Sequence, residues 1–311
     1  MPLAVYFTMN MQIQQQTVAR PVSCSGVGLH SGKKVDLTIK PAPVNYGIKF
    51  IRTDLPARPV ISALFNMVVD TSLATVIGYN GFIVSTIEHL MAAFAGLSID
   101  NVLVEINDYE VPVMDGSAEP FTRMIKDAGI KVQDAFRHYF ILRKPIELKK
   151  DEKFVGLYPH PGFKITCTID FGHHLIKRQS CSLDLSEKIF EKELCHARTF
   201  GFMHDFQYMK RYGLARGGSL DNAVVIDKDR ILNQEGLRYS DEFVRHKLLD
   251  SIGDFYLIGM PILGHLKLNK SGHAFNHEFL EKFFSEKKSW ETGTFQGVSS
   301  NENPRAHSKI I

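Results

Sequence analysis

The chain has 311 residues, of which 44% are hydrophobic and 23% charged, and its formal net charge at pH 7 is +3. This length predicts about two domains, each large enough to bury its own core. The small net charge gives no reason to expect a nucleic-acid partner, and no apolar run approaches the ~18 residues that a membrane span needs. Four cysteines without a Cys-x-x-Cys pair favour reduced thiols over a disulfide framework. Because the N-terminus also lacks the basic segment of a signal peptide, we expect a cytoplasmic protein.

The first half of the chain predicts short strands and two helices. An Asn80-Gly81 pair between apolar runs is typical of a β-hairpin turn, and Gly129 is a typical helix stop. In chain order the predicted elements are a glycine-punctuated turn at 26–32, strands at 35–39, 74–78 and 82–84, a helix at 85–95, a strand at 101–106 and a helix at 117–128.

The second half repeats this order of strands before helices. The predicted elements are strands at 141–148, 154–157 and 163–169 and helices at 195–209, 240–258 and 271–285. The recurrence predicts an α+β fold of two related domains, residues 1–134 and 135–290. After Trp290 the composition shifts to Gly, Ser, Asn and Pro without an apolar period, which predicts a disordered tail at 291–311.

The helix predicted over 240–258 has an unusual polar side. Apolar residues at helical spacing form one arc that can face a core, while His246, Asp250 and Asp254 recur every four residues on the opposite side, with Lys247 beside them. A solvated helix face is the commoner explanation of such a side. An imidazole and a carboxylate one turn apart are, however, also spaced as zinc ligands.

Glu88 and His89 stand near the start of the first predicted helix. Ser85-x-x-Glu88 matches a capping box, so closing the helix start is one role open to Glu88. A histidine on such an apolar helix is by default a hydrogen-bonded core residue. The alternative is that His89 binds a metal and Glu88 takes a proton from water beside it. His89, His246 and Asp250 would then be three protein ligands with an open fourth position, as in catalytic zinc sites.

Three other stretches are ambiguous by themselves. His273 follows a glycine where the last helix is predicted to begin, which is typical of an ordinary loop residue. Thr199 places a hydroxyl between bulky apolar residues and indicates little alone. Residues 215–219, Ala-Arg-Gly-Gly-Ser, could cradle a phosphate, although they lack the Lys-Ser/Thr ending of a P-loop.

Six motifs in a fixed order form a far more specific pattern than any one of them. They are Gly-Val-Gly-Leu-His-Ser-Gly (26–32), Ser-Thr-Ile-Glu-His-Leu-Met-Ala-Ala (85–93), Met-Asp-Gly-Ser-Ala (114–118), Ala-Arg-Thr-Phe-Gly-Phe (197–202), Glu-Phe-Val-Arg-His-Lys-Leu-Leu-Asp (242–250) and Ser-Gly-His-Ala (271–274). Together they closely resemble the UDP-3-O-acyl-N-acetylglucosamine deacetylases, zinc enzymes of lipid A and hence lipopolysaccharide biosynthesis. The resemblance runs from about residue 14 to about residue 284.

The resemblance implies a fold and a zinc site. Zn²⁺ would be bound by His89, His246 and Asp250, and Glu88 would be the general base that activates the water. The fold would be a β-α-α-β sandwich, in which each domain contributes a sheet and its helices. The helices of the two domains would pack together, with the site between the domains.

Further roles are implied for residues around the zinc. His273 would be the general acid or the electrostatic partner of the tetrahedral intermediate, held in orientation by Asp254. Thr199 would help to polarise the acetamide carbonyl and stabilise the oxyanion, and Lys247 would lie near the water and the substrate. An apolar passage for the 3-O-acyl chain would be lined by Phe200, Phe202, Met203, Phe206, Ala215 and Leu220.

The implied reaction is hydrolysis of the N-acetyl group of UDP-3-O-acyl-N-acetylglucosamine, the committed step of lipid A biosynthesis. The partner would be this small-molecule acylated UDP-sugar, with no nucleic acid, and we expect a monomer. Two other interpretations stay open: a zinc amidohydrolase acting on a different acylated sugar nucleotide, and a non-catalytic sugar-nucleotide-binding relative. A phosphate-binding protein that uses residues 216–219 is a third.

Overall fold

The computed structural model describes residues 12–295, and its first half contains ten strands, two α-helices and a short 3-10 helix. These elements are β1 (Gln14–Val18), β2 (Val22–Val27), β3 (Lys34–Pro41), β4 (Ile48–Arg52), β5 (Val60–Ser62), the 3-10 helix (Phe65–Met67), β6 (Val68–Asp70), β7 (Val76–Tyr79), β8 (Phe82–Val84), α1 (Glu88–Gly96), β9 (Val102–Ile106), α2 (Glu119–Ala128) and β10 (Ile130–Phe136).

The second half of the described chain continues with strands and four α-helices. These are β11 (His138–Leu142), β12 (Ile146–Lys150), β13 (Lys153–Tyr158), β14 (Phe163–Asp170), β15 (Arg178–Asp184), α3 (Glu187–Glu193), β16 (Phe200–Phe202), α4 (Met203–Arg211), β17 (Val224–Asp227), β18 (Arg230–Ile231), α5 (Glu242–Tyr256), β19 (Ile262–Asn269), α6 (His273–Ser285) and β20 (Trp290–Thr294). None of the described helices is long and apolar enough to cross a membrane.

Two large mixed sheets carry most of the strands. The first has the order β2-β3-β9-β4-β5, with β4 and β9 parallel. The second has the order β12-β13-β19-β11-β20, and β14 and β15 join it through β19. On β3 the alternation predicted from the sequence is confirmed, because Val35, Leu37 and Ile39 are fully buried between more exposed neighbours. The Asn80-Gly81 hairpin is also confirmed, as the turn that joins β7 to β8.

Helices connect the two sheets through a chain of packing contacts. α2 packs on β2 and on α1, α1 packs on α5, α5 packs on β14 and β15, and α6 packs on α5 and on β12 and β13. α1 is short and almost entirely buried, so it can make contacts on every side. The α+β class is therefore confirmed, and the β-α-α-β sandwich stays a prediction. A division into domains at residue 134 stays a prediction.

Three predicted features are wrong in the described chain. The strand predicted at 141–148 is two strands, β11 and β12, because the chain turns at 143–145 between them. The helix predicted at 195–209 is instead a loop, the strand β16 and the helix α4, because β16 pairs in parallel with β17 and forms a β-α-β unit. The tail predicted as disordered begins too early. β20 pairs antiparallel with β11, and the Trp290 indole stacks on Phe283 and donates a hydrogen bond to its carbonyl oxygen. Only the part of the predicted tail at 296–311 lies outside the described residues.

Candidate metal centre

Three side chains predicted as metal ligands lie together at the contact between α1 and α5. His89 comes from the first turn of α1, and His246 and Asp250 lie one turn apart on α5. Their ligand atoms are all within 4.8 Å of one another, and all three residues are buried. The Nε2 atoms of His89 and His246 lie 3.4 Å and 3.3 Å from Oδ1 of Asp250. The structure thus brings together residues that are distant in the sequence.

The two distances to Asp250 fit a four-coordinate metal ion. In a tetrahedral site with ligand bonds of about 2.0–2.1 Å, neighbouring ligand atoms are roughly 3.3–3.4 Å apart. Nδ1 of His246 faces the carbonyl oxygen of Ala197 at 3.1 Å, which leaves Nε2 as the nitrogen free to bind. The residues present therefore fit a divalent metal ion with a fourth position open to a small molecule.

The electrostatics of the ligands favour the same conclusion. Burial lowers the pKa of His246 to about 3, so its imidazole stays neutral, as a metal ligand must. Burial by itself raises the pKa of Asp250, but the positive charge of Lys247, whose Nζ lies 2.8 Å from Oδ2, opposes that effect, and the pKa lies well below its usual value. A neutral imidazole at His246 and an ionised carboxylate at Asp250 are protonation states that metal binding requires.

A glycine in the middle of α5 allows the two helices to approach closely. A Cβ added at Gly253 would lie 2.0 Å from the carbonyl oxygen of Glu88, so a side chain there would force the two helices apart. At the same crossing the rings of His89 and His246 meet edge to face, with centroids 5.0 Å apart. Gly253 was not among the predicted site residues, although a glycine inside a helical pattern is a signal of close packing.

Glu88 faces His273 across the same site. Oε1 of Glu88 lies 3.9 Å from Nε2 of His273, whose Nδ1 lies 2.8 Å from Oδ2 of Asp254. Asn276 donates a second hydrogen bond to that oxygen at 2.8 Å. Burial lowers the pKa of His273, but Asp254 and Glu88 outweigh it and raise the pKa to about 10. Burial raises the pKa of Glu88. The arrangement is a buried carboxylate opposite a protonated imidazole.

The capping box, one of the two roles considered for Glu88, is not formed. α1 begins at Glu88 itself, Ile87 occupies the position before it, and no side chain caps the helix. The Ser85 hydroxyl contacts that of Thr86 instead, because Thr86 has a positive φ of 60° that turns the chain sharply before the helix. The Glu88 carboxylate is therefore directed to the site and not to the helix start.

Lys247 and Thr199 occupy different positions relative to the ligands. Nζ of Lys247 lies 2.8 Å from Oδ2 of Asp250 and 5.6 Å from the centre of the Phe200 ring. Thr199 follows the loop whose Ala197 carbonyl faces His246, and its backbone N–H donates to the carbonyl of Gly116. Within residues 12–295 its hydroxyl makes no hydrogen bond to a ligand. The backbone thus places Thr199 near the site, and only Lys247 contacts a ligand directly.

A buried ion pair that sequence analysis missed holds this loop. The Arg198 guanidinium and backbone N–H both donate to Oε1 of Glu242, each at 2.9 Å, and neither side chain is accessible to solvent. Glu242 begins α5, so the pair ties the Ala197 and Thr199 loop to the helix that carries His246. Both residues stand inside motifs of the resemblance, but their pairing is not visible in the sequence.

The residues predicted to line the acyl passage all belong to the β16-α4-β17 unit and the loop within it. The Phe206 ring lies against the backbone of Gly201 and Gly218, where added Cβ atoms would be 2.9 Å and 3.3 Å from it. Phe200, Phe202 and Met203 are half-buried. Ala215 is buried, and Leu220 is 43% exposed. The six residues therefore share a unit, but Ala215 presents little surface to a ligand.

The phosphate cradle considered at 215–219 is wrong. The backbone N–H groups of Arg216 and Gly217 donate to the carbonyls of His30 and Leu29, and that of Gly218 donates to Ala215. The fourth N–H, of Ser219, donates to the Asn222 side chain. No N–H of residues 216–219 is left for a phosphate. Residues 216 and 217 are instead hydrogen-bonded to the glycine-rich turn at 26–32.

Comparison with known proteins gives a consistent result over nearly the whole described chain. The family model of UDP-3-O-acyl N-acetylglycosamine deacetylase matches residues 15–285. A UDP-3-O-acyl-N-acetylglucosamine deacetylase of Myxococcus xanthus is 51% identical over 278 residues, covering 89% of this chain and 88% of the relative. Enzymes of the same name from Syntrophus aciditrophicus and Idiomarina loihiensis are 46% identical over 281 residues and 47% identical over 286 residues. They cover 90% and 91% of this chain and 89% and 94% of their own lengths.

The extent of these matches and the grouping of His89, His246 and Asp250 lead to one conclusion. This chain belongs to the UDP-3-O-acyl N-acetylglycosamine deacetylase family.

Proposed function

We propose that this protein hydrolyses the N-acetyl group of UDP-3-O-acyl-N-acetylglucosamine, releasing acetate and leaving the free amine, as a step of lipid A biosynthesis. The substrate is the one named for its relatives. The observation that carries the proposal is the buried His-His-Asp cluster with a carboxylate and a protonated imidazole facing each other beside it. A relative that only binds a sugar nucleotide would need neither the metal-ligand cluster nor the facing carboxylate and imidazole.

We propose zinc as the metal. Two imidazole nitrogens and one carboxylate oxygen, with a fourth position open, form a donor set typical of catalytic zinc. When bound, zinc would lower the pKa of a coordinated water to about 7 and polarise the amide carbonyl. His246 is held by Ala197 and Asp250 by Lys247, so the protein fixes the orientation of its own ligands.

Glu88 and His273 would move the protons. Glu88 takes a proton from water as the oxygen attacks the acetyl carbon, and His273 gives a proton to the sugar nitrogen as the carbon–nitrogen bond breaks. Transfer of the proton from Glu88 back to His273 restores both groups. The raised pKa of Glu88 makes it a stronger base than an exposed glutamate, and the pKa of about 10 keeps His273 protonated at neutral pH.

The remaining predicted residues would orient the reacting groups. Asp254 and Asn276 hold the imidazole of His273 from the side opposite Glu88. Thr199 would supply a hydroxyl to the developing oxyanion, and removing one such donor typically lowers the rate on the order of 10²–10³-fold. Lys247 would place a positive charge beside the substrate. We propose the β16-α4-β17 unit as the region that receives the 3-O-acyl chain, because Phe200, Phe202 and Phe206 are only half-buried there.

A chelation and rescue assay tests this function. Acetate release from UDP-3-O-acyl-N-acetylglucosamine should disappear when the metal is removed and return when zinc is added. The same assay on the sugar nucleotide without its 3-O-acyl chain should show much slower turnover. Equal turnover of both substrates would favour a different sugar-nucleotide substrate, and absence of acetate release by zinc-loaded protein would refute the proposed function.

A further inference from the structure

Thr75 contacts both halves of the proposed proton-transfer pair. It directly precedes β7 and is 3% exposed. Its backbone N–H donates to Oε2 of Glu88 at 3.1 Å, and its hydroxyl donates to Oδ1 of Asp254 at 2.6 Å. Its carbonyl accepts from the N–H of Ile87, the residue before Glu88. One residue therefore bonds the base, the chain leading to the base, and the carboxylate that orients the acid.

The hydroxyl of Thr75 donates its hydrogen bond to Asp254 and not to the imidazole of His273. It also lies 3.3 Å from Nδ1 of His273, but a hydroxyl has a single proton and the shorter bond is to Asp254. Nδ1 in turn donates to Oδ2 of the same carboxylate, as does Asn276. Each oxygen of Asp254 thus receives its own donors, and the only donor to Oδ1 among the described residues is Thr75.

The bonds of Thr75 constrain a distance that the reaction depends on. Glu88 lies on α1 and Asp254 on α5, and the Thr75 backbone and side chain bridge the two helices next to the site. Without the hydroxyl, the Asp254 carboxylate would be held at one oxygen only and could rotate, and the His273 ring would move with it. A displacement of about 1 Å in a reacting group can reduce a rate about 100-fold.

We propose that Thr75 is a positioning residue that fixes His273, through Asp254, at its working distance from Glu88. The inference rests on the proposed deacetylase function. Thr75 touches neither ligand nor substrate in this role, since both of its polar groups are bonded to Glu88 and Asp254.

Substitution of Thr75 by its isostere tests the role of the hydroxyl. Thr75→Val keeps the shape and the backbone N–H, so we expect unchanged metal content, little change in KM and a kcat about 10- to 100-fold lower. Thr75→Ser restores the hydroxyl and should restore kcat. The matched control is Thr122→Val, because the Thr122 hydroxyl is also buried and bonds the Ala118 carbonyl at 2.8 Å, away from the site. This control should keep kcat.

A double-mutant cycle shows whether Thr75 acts through His273. In a His273→Ala background, Thr75→Val should cause little further loss of kcat, since no imidazole is left to position. The inference is overturned if Thr75→Val retains the kcat of the unaltered protein, if Thr75→Ser loses as much as Thr75→Val, or if the full loss persists without His273.

A spectroscopic measurement separates this inference from the proposed function. The proton shared by Nδ1 of His273 and Asp254 can be observed by NMR in the zinc-loaded protein with ¹⁵N-labelled histidine. Its resonance should be unchanged in Thr75→Ser and Thr122→Val and shifted in Thr75→Val. If the unaltered protein released no acetate, the proposed function would fail, while this resonance would still decide whether Thr75 holds the pair. An unshifted resonance in Thr75→Val counts against the inference whatever the activity.

Discussion

The metal centre and the β16-α4-β17 unit are built in opposite ways. At the metal centre, His89, His246 and Asp250 are buried and lie against one another and against fixed backbone. In the other region, α4 buries none of its residues completely, and Tyr208 is 61% exposed. The Ala197 carbonyl faces His246, and the chain enters β16 three residues later, so buried and half-buried surroundings lie side by side.

The difference follows from what each region is proposed to do. Bond making requires reacting groups to be held within a fraction of an ångström, which needs buried and multiply bonded side chains. An apolar chain is recognised mainly by the area that it removes from water, which does not depend on exact position. We therefore expect substitutions in the metal centre to affect kcat or folding, and those in the β16-α4-β17 unit to affect KM.

The largest effect is expected from loss of a ligand. His246→Ala removes one of three ligands, so the protein should lose its metal and its turnover should fall to background. Glu88→Gln should keep the metal and lower kcat about 10²–10⁴-fold, because the ligands remain and the base is lost. Metal content and acetate release measured on the same samples distinguish the two outcomes. A metal-free His246→Ala protein with full activity would disprove the site.

A smaller effect is expected at the crossing of α1 and α5. Gly253→Ala would place a methyl group 2.0 Å from the Glu88 carbonyl oxygen, and overpacking of this kind typically lowers the free energy of unfolding by about 1–3 kcal/mol. Metal affinity should fall as well, since His89 moves with α1. Denaturant unfolding and metal titration measure the two effects. The control is Gly162→Ala, where an added Cβ meets nothing within 4 Å. Equal stability of the two variants would contradict the close helix crossing.

The smallest effect is expected in the β16-α4-β17 unit. Phe206→Ala removes the ring that lies against Gly201 and Gly218, and we expect KM for the acylated substrate to rise roughly 10-fold with little change in kcat. Tyr208→Ala, on the same helix but 61% exposed, should leave both constants close to those of the unaltered protein. Steady-state kinetics on substrates with and without the acyl chain checks this. A fall in kcat for Phe206→Ala would contradict the expectation that substitutions in the β16-α4-β17 unit affect KM and those in the metal centre affect kcat.

Local patterns in the sequence predicted much of the fold. Alternation along β3, the Asn80-Gly81 turn and the helix over 240–258 depend on neighbouring residues, and the structure contains all three, with α5 two residues shorter at each end. The helix predicted at 195–209 failed because β16 is stabilised by β17, whose residues are more than twenty positions away. The strand β20 was missed for the same reason, since it forms by pairing with β11.

The site was predictable in part. Helical periodicity alone places His246 and Asp250 one turn apart, and the order of six motifs indicated the family. Periodicity could not indicate that His89 joins them, that Gly253 permits the contact, or that Thr75 bonds both Glu88 and Asp254. The cytoplasmic location, the monomeric state and the individual roles of the site residues stay predictions.

What the sequence by itself determined is the set of chemical groups and their spacing within each helix and strand, because that spacing follows from the backbone geometry of neighbouring residues. The tertiary structure decided which groups meet. The packing of α1 on α5 turns two separate polar clusters into one buried cluster. The packing of α6 on α5 also places His273 opposite the Glu88 carboxylate. Such contacts depend on residues far apart in the chain, whose approach is set by close packing of the whole core.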